Sequence, residues 1–159
     1  MSATTRWYLT KIMDEQSYLS GYTDGEGCFC VTFNKSKRHR FGWDIRPSFS
    51  VSQNRDRSEV LELFQKNFQC GTIRPDRSDK TLKYEVRSIA ELAKKVVPHF
   101  ERYPLLSRKQ EDFGVFADIV RLMYGGKHLD EEGFAKVVQL AERLNASGKK
   151  KYVRSQIKV

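Results

Sequence analysis

Two carboxylates close a short glycine-bearing run, Tyr18 to Gly27 (YLSGYTDGEG): Asp24 and Glu26, separated by Gly25. The pattern predicts that this run ends a helix. Acids beside the open carbonyls of a helix C-terminus form a set of hard oxygen donors. Mg²⁺ favours such donors, taking carboxylate, carbonyl and water oxygens in an octahedral shell. A cation held there lowers the pKa of a bound water and neutralises charge on a leaving oxygen, which are the demands of phosphodiester hydrolysis. Glu26 with the carbonyl of Gly25 is the candidate donor set. Acids at a helix C-terminus also oppose the macrodipole and call for a compensating cation. The plain alternative is that both are solvated helix-end acids. Competing chemistry is weak. Cys28 and Cys30 share a strand face without the spacing of a zinc clip, and His39, His99 and His128 are scattered. The chain holds no P-loop, no GxSxG and no HExxH, so no nucleotide cofactor is expected.

Several elements must position these groups. A helix is expected to start at Asp14, a plausible N-cap, and to run through the glycine-bearing segment. Ser17, Ser20, Gly21 and Asp24 recur at helical spacing and give it a slim face, with Tyr18, Leu19 and Tyr22 on the other side. A slim face admits another backbone, and Gly21 in mid-helix costs about 1 kcal/mol against Ala, which close packing would offset. Two strands follow, Cys28 to Asn34 and Asp44 to Ser52, joined by the basic loop Lys35–Gly42. Phe29, Val31 and Phe33, then Ile45, Phe49 and Val51, alternate towards a core. Pro47 falls in the core-facing register and predicts an edge strand or a bulge. A second helix carries Leu61, Phe64 and Phe68, with Asp56 and Glu59 as a capping box and Gly71 just beyond its end. Strands at Thr72 to about Asp76 and at Thr81 to Arg87 come next, with Arg77–Lys80 as their turn. Helices follow at Ile89–Val97, stopped by Pro98, at Lys109–Tyr124 and at Asp130–Leu144.

The expected class is therefore α+β, a four-stranded antiparallel sheet with helices on one face and additional C-terminal helices. The other sheet face carries Thr32, Asn34, Asp44, Arg46, Ser48, Ser50, Thr72, Arg74, Lys83, Glu85 and Arg87. Such a face suits ordinary solvent exposure. It equally suits a nucleic-acid groove, with hydroxyl, amide and guanidinium groups as readers. Phe41 and Trp43 read as loop anchors rather than base-stacking groups.

Composition bounds the partner. The chain has 159 residues, 29 Lys+Arg against 20 Asp+Glu and a formal net charge of +9. One domain spanning residues 1–159 is expected, with its core at about 14–145 and a basic, mobile tail at 146–159. An aromatic content of 12% excludes a disordered chain, and no apolar run is long enough to span a membrane. Three cysteines read as reduced thiols of an intracellular protein. The N-terminus lacks an apolar signal region, and Asp14 and Glu15 interrupt any transit-peptide pattern. The excess positive charge points to a polyanion, nucleic acid or an anionic membrane.

The run YLSGYTDGEG resembles the LAGLIDADG signature of homing endonucleases. Leu19, Gly21, Asp24 and Gly27 match directly, and Ser20, Tyr22, Thr23, Gly25 and Glu26 are variants. The resemblance extends over about residues 14–124, where the expected element order follows the αββαββα core of that family. It implies a site-specific, Mg²⁺-dependent DNA endonuclease, with Mn²⁺ as substitute and Ca²⁺ binding without supporting cleavage. It places the metal ligand at Glu26 and leaves Asp24 a structural role. It also implies Gln53 as the group that positions the attacking water, Arg57 as an orienter of solvent or phosphate, and Lys109, or alternatively Arg108, as the active-site cation. Lys35 and Lys37 of the basic loop would contact DNA with the sheet face.

The chain holds one copy of the motif, whereas the resemblance implies active sites where two such helices pack. A homodimer with two-fold symmetry follows, its slim faces Ser17, Ser20, Gly21 and Asp24 opposed. A pseudo-palindromic double-stranded DNA target, a staggered cut at its centre and a mobile intron as host follow in turn. No membrane partner is expected. The compartment would be prokaryotic cytoplasm, chloroplast or mitochondrion. Two rivals keep the same fold: an intron RNA maturase, and a DNA-binding regulator that leaves its target intact.

Overall fold

The computed structural model describes residues 14–76, 80–144 and 156–157. The expected turn at 77–79 and most of the basic tail lie outside the described residues. Helix α1 (Glu15–Glu26) is capped by Asp14, whose side chain accepts the Gln16 N–H at 3.1 Å. It runs straight into β1 (Gly27–Lys35), which pairs with β2 (Trp43–Asn54). After a 3₁₀ turn at Arg55–Arg57 come α2 (Glu59–Phe68), β3 (Thr72–Pro75) and β4 (Thr81–Val86). The sheet is antiparallel throughout, in the order β1-β2-β4-β3. This is the four-stranded, helix-covered sheet expected from the alternation.

Its inner face is aromatic. The ring of Phe29 lies 5.2–5.4 Å from those of Phe49, Phe100, Phe113 and Phe116, so one residue of β1 joins β2 and two later helices. Pro47 is buried in β2, a central strand, yet it sits opposite Val31 where β2 pairs with β1 alone; pairing with β4 begins at Phe49. The missing N–H therefore meets a local edge, as the sequence asked, inside a strand that is not an edge overall. Gly71 adopts φ +80°, and a Cβ there would lie 2.7 Å from the Tyr84 ring. Glycine is needed at that point on both counts.

Three local expectations are corrected. The Asp56/Glu59 capping box does not form: Ser58 is the N-cap of α2 without a side-chain cap bond, because residues 55–57 turn as 3₁₀. Pro98 does not stop the next helix. A continuous helical rod is built from α3 (Ile89–Glu91), a π-helical stretch Leu92–Val96 and α4 (Val97–Arg102), with Pro98 in the first turn of α4. Pro98 has no N–H to donate, and the wider π turn just before it gives its ring room against the carbonyl four residues back, so the rod runs on. The third concerns the tail, where Ile157 is buried against the core. Beyond the rod lie α5 (Lys109–Tyr124), a 3₁₀ turn Lys127–Leu129 and α6 (Glu131–Arg143), whose cap Asp130 accepts from the Gly133 N–H.

The rod is tied to α1 through Ser20. Its hydroxyl donates to the Tyr103 carbonyl at 2.6 Å and lies 3.2 Å from His99 Nε2. A hydroxyl has one proton, so His99 Nε2 is the donor of the second bond. Burial lowers the His99 pKa to about 4, against a weaker opposing pull from Asp14. The unfolded chain, with a histidine near 6.5, therefore takes up a proton first. This contribution to stability is complete above pH 6.5 and drains as the pH falls from 6.5 towards 4, by on the order of 3 kcal/mol. Denaturant melts of wild type and His99→Gln across that window should diverge. Parallel profiles would contradict the assignment.

Candidate active site

The end of α1 and the start of α5 cap each other. Asp24 Oδ2 accepts the Leu106 N–H at 3.0 Å and the Ser107 N–H at 2.9 Å, and Oδ1 accepts the Ser107 hydroxyl. In return Lys109 Nζ donates to the carbonyls of Thr23 at 3.0 Å and Gly27 at 2.6 Å. Ser107 Oγ also accepts the Lys109 N–H at 3.1 Å, closing the loop. A negative group thus meets the electropositive start of α5, and a positive group the electronegative end of α1. Desolvation pushes the Asp24 carboxyl up, but the bonds from Ser107 and Leu106 and the Lys109 charge outweigh it and hold it below its ordinary value. Asp24 is therefore structural within its own chain.

Between the two carbonyls taken by Lys109 stand Gly25 and Glu26, both exposed. The charge compensation that the helix end demands is met in part by Lys109. Arg108, the alternative cation, is 91% exposed on its side chain and reaches towards Glu111 at 3.6 Å, away from the motif. Gly27 pairs with Val51, so the end of β2 lies beside the end of α1. Gln53 uses this placement: its Nε2 donates to the Tyr22 hydroxyl, and its Oε1 accepts the Asn54 N–H at 2.8 Å. Arg57 is brought less far. Its side chain is 68% exposed and lies 3.8 Å from Asp56.

The motif glycines divide into two kinds. A Cβ on Gly27 would sit 2.5 Å from Thr23 Cγ2 and 2.8 Å from the Thr23 carbonyl, so the chain's own packing requires that glycine. A Cβ on Gly21 or Gly25 would meet nothing within 4 Å. The expected slim face splits accordingly. Ser20 is buried against the rod and Asp24 is engaged with the 106–107 loop, so neither is presented outward; Ser17, Gly21 and Gly25 are. The sequence pattern could not tell which side of the slim stripe the chain covers itself.

Register places the expected DNA-facing residues on one sheet face. Thr32 stands opposite Arg46 and Asn34 opposite Asp44; Ser50 and Thr72 flank Glu85, and Arg74 is opposite Lys83. Ser48 lies opposite Cys30 on the same face. They are not equally open. Thr32, Arg46, Thr72, Arg74 and Arg87 are exposed, while Ser50 and Glu85 are buried in mid-sheet. Lys35 and Lys37 are exposed at the β1–β2 hairpin. Trp43 is buried, and Phe41 packs 4.8 Å from Phe134, so both anchor this loop.

Among the described residues no group of three or more His, Cys, Asp or Glu side chains could hold a metal ion. One exposed carboxylate beside a backbone carbonyl instead fits a hard cation that keeps several waters and takes further oxygens from a phosphate.

The profile of the LAGLIDADG endonuclease family matches residues 19–120. The chain belongs to this family. A relative from Neurospora crassa, "Probable intron-encoded endonuclease 2", is 33% identical over 130 residues, which cover 81% of this chain and 29% of that protein. The chain thus spans under a third of the length of such curated relatives. Among solved structures, the homing endonuclease I-TnaI superposes with a TM-score of 0.78 at 33% identity, covering 84% of this chain and 89% of that one. I-SmaMI, bound to an uncleaved DNA target in the presence of calcium ions, superposes with a TM-score of 0.82 at 26% identity, covering 91% of this chain and 48% of that one. The fold is that of the LAGLIDADG homing endonucleases.

Two residues of this LAGLIDADG site escape a reading of the sequence: Tyr22, which holds Gln53, and Ser107, which joins Asp24 to Lys109. Ser107 carried a signal, since Ser-x-x-Gln before an apolar run is a capping pattern, but the reciprocal box does not form: the Ser107 N–H goes to Asp24, and Gln110 Oε1 accepts the Leu105 N–H at 2.9 Å instead. Tyr22 carried none. Asp24→Asn should lower stability by about 1–2 kcal/mol, as loss of a charged cap does. Lys109→Ala should cost less, and the double variant should cost less than the sum of the two. Urea melts read the cycle. Strict additivity would mean that the two ends do not act together.

Proposed function

We propose that the chain is an intron-encoded, site-specific DNA endonuclease that works as a two-fold homodimer and makes a staggered double-strand cut in a pseudo-palindromic target. The observation that carries this reading is the end of α1. There an exposed Glu26 stands beside Lys109 and Gln53 at one edge of a polar sheet face, on a helix whose outward glycines have no neighbour in their own chain. The names of the relatives, which say endonuclease, support it.

A hard divalent cation of the Mg²⁺ type at Glu26 and the Gly25 carbonyl would activate water and neutralise the leaving oxygen. Mn²⁺ would substitute. Ca²⁺ would permit binding without cleavage, in keeping with the calcium-bearing, uncleaved complex of I-SmaMI. The chain's own residues do the rest. Gln53 has spent one N–H on Tyr22 and one lone pair on Asn54. Its second N–H and second lone pair remain to orient the attacking water. Lys109, already at the helix end, stabilises negative charge on the phosphate. Arg57, exposed beyond the end of β2, would steady the phosphate or its solvent once DNA is seated. The polar face reads bases in the major groove, and Lys35 and Lys37 contribute sequence-independent phosphate contacts.

The dimer rests on Gly21 and Gly25. Glycine in an exposed helix costs about 1 kcal/mol against Ala, and among the described residues nothing packs on Gly21 or Gly25 to offset it. A second α1 laid on that face would.

Two measurements check the reading. Glu26→Gln should fold and bind target DNA in Ca²⁺, yet lose several orders of magnitude in single-turnover cleavage with Mg²⁺, since metal activation supplies several kcal/mol. Near-wild-type cutting would overturn the assignment of Glu26. Gly21→Leu should leave the protomer intact, because the position has open space, and weaken self-association by about 1–3 kcal/mol or more through overpacking. Sedimentation of the wild type should show two chains; a clean monomer at micromolar concentration would sink the dimer.

A further inference from the structure

We propose that Glu85 is a positioning residue that sets part of the sequence preference, by holding Arg74 and Arg87 in orientation for guanine readout. This rests on the endonuclease reading above. The carboxylate is only 9% exposed, at the centre of the polar sheet face, on the rung Ser50–Glu85–Thr72 that crosses three strands. Its Oε2 accepts from Arg74 Nη2 at 2.9 Å and lies 2.9 Å from Arg87 Nε. The two arginines come from different directions: Arg74 from β3, and Arg87 from just past the end of β4. They remain 45% and 59% exposed.

A carboxylate is a poor choice for direct contact with a polyanion. Seated under DNA, an unpaired Glu85 would be a buried charge with its hydration stripped, which is strongly unfavourable. Paired with two guanidinium groups it becomes the middle of a cluster of net charge +1. The cluster therefore adds little to non-specific attraction. What it adds is direction. A guanidinium carries five N–H donors in a rigid plane, and each arginine spends one on Glu85. Arg87 is held by Nε, which leaves its terminal fork outward, and such a fork matches N7 and O6 of guanine. Arg74 is held at one terminal nitrogen and keeps four further N–H donors on a half-exposed side chain. Fixing both side chains before DNA arrives removes rotamer freedom that binding would otherwise have to remove. The neighbouring Lys83 is braced in the same way, 3.5 Å from Asp76. Lys35 and Lys37 of the hairpin are exposed and lie outside this cluster. Arg46 of β2 is held likewise, its Nε donating to Asp44 Oδ2 at 2.6 Å, so the polar face holds braced cations along its strands and a more open basic region at the hairpin tip. The first should discriminate bases and the second should attract any duplex.

The test is selection of duplexes from a library with a randomised half-site, using the full chain in Ca²⁺. The wild type should select guanine at two positions of each half-site, with discrimination of roughly 5- to 150-fold at each. Arg74→Lys and Arg87→Lys keep the charge and lose the fork, and each should erase one of the two preferences while leaving the salt dependence of binding unchanged. Glu85→Gln should flatten both preferences together, with affinity for unrelated DNA equal to or tighter than that of the wild type. A merely structural Glu85 would weaken binding to all sequences alike and leave the selected sequence unaltered. That outcome overturns the proposal, as does retention of both preferences by the two lysine variants. If the wild type selects no sequence at all, the endonuclease reading falls with it. If it selects a target lacking both guanines, only the role of Glu85 falls.

Discussion

The reciprocal capping of α1 and α5 is the constraint on which the rest of the site depends. A helix that ends in two acids is electrostatically unfavourable, and one that begins among basic residues is equally so. Exchanging Asp24 for Lys109 across the junction resolves both faults with a single pair of side chains. The exchange fixes where α1 stops, and hence where Glu26 and Gly27 stand. Because β1 begins at Gly27 without a loop, the register of the whole sheet is referred to that same point. The metal-holding role proposed for Glu26 would benefit from such an origin, since it demands a precisely placed carboxylate.

The motif looks in four directions at once, and its residues divide among them round the helix. Leu19, Ser20 and Thr23 belong to the chain's own interior, and Asp24 to the loop before α5. Glu26 faces solvent, where substrate would lie. Gly21 and Gly25 face outward with nothing against them. Such division leaves no spacer among the residues from Leu19 to Gly27. It also bears on the metal proposed above: Lys109 already offsets part of the negative charge at the helix end, and Glu26 is left exposed beside it.

Much of the fold was legible in the sequence because the alternation in β1, β2 and β4 is driven by large residues on one side, and periodicity of that kind is local. The sheet face came through with its register for the same reason. The failures share a different cause. Asp56 looked like a cap, but the chain took a 3₁₀ turn first. Pro98 looked like a terminator, but the wider π turn before it made room for its ring. Ser20 looked like an interface residue, but it found Tyr103, more than eighty positions away. Glu26, Gln53 and Lys109 were named through resemblance, and the structure brings them to one end of the sheet, whereas Tyr22 and Ser107 act through partners that only tertiary structure supplies. Burial of Glu85 was equally invisible, since an alternating pattern tells which face a residue is on and not whether its neighbours close over it.

The π-helical stretch at Leu92–Val96 has a consequence for how the chain tolerates change in length. A π turn amounts to one surplus residue in an α-helix, and each residue of an α-helix advances the face by about 100°. The wider turn absorbs that surplus, about five residues turning through what four do in an α-helix, so the residues after Val96 keep the phase of an uninterrupted helix. Remove one residue from the stretch and the helix could close into regular geometry with His99 still turned to Ser20 and Phe100 to Phe29. The segment is a place where the chain carries an extra residue without passing the error on. A single-residue deletion here would therefore disturb the far end of the rod less than the same deletion in a regular turn, where every later residue would rotate by about 100°.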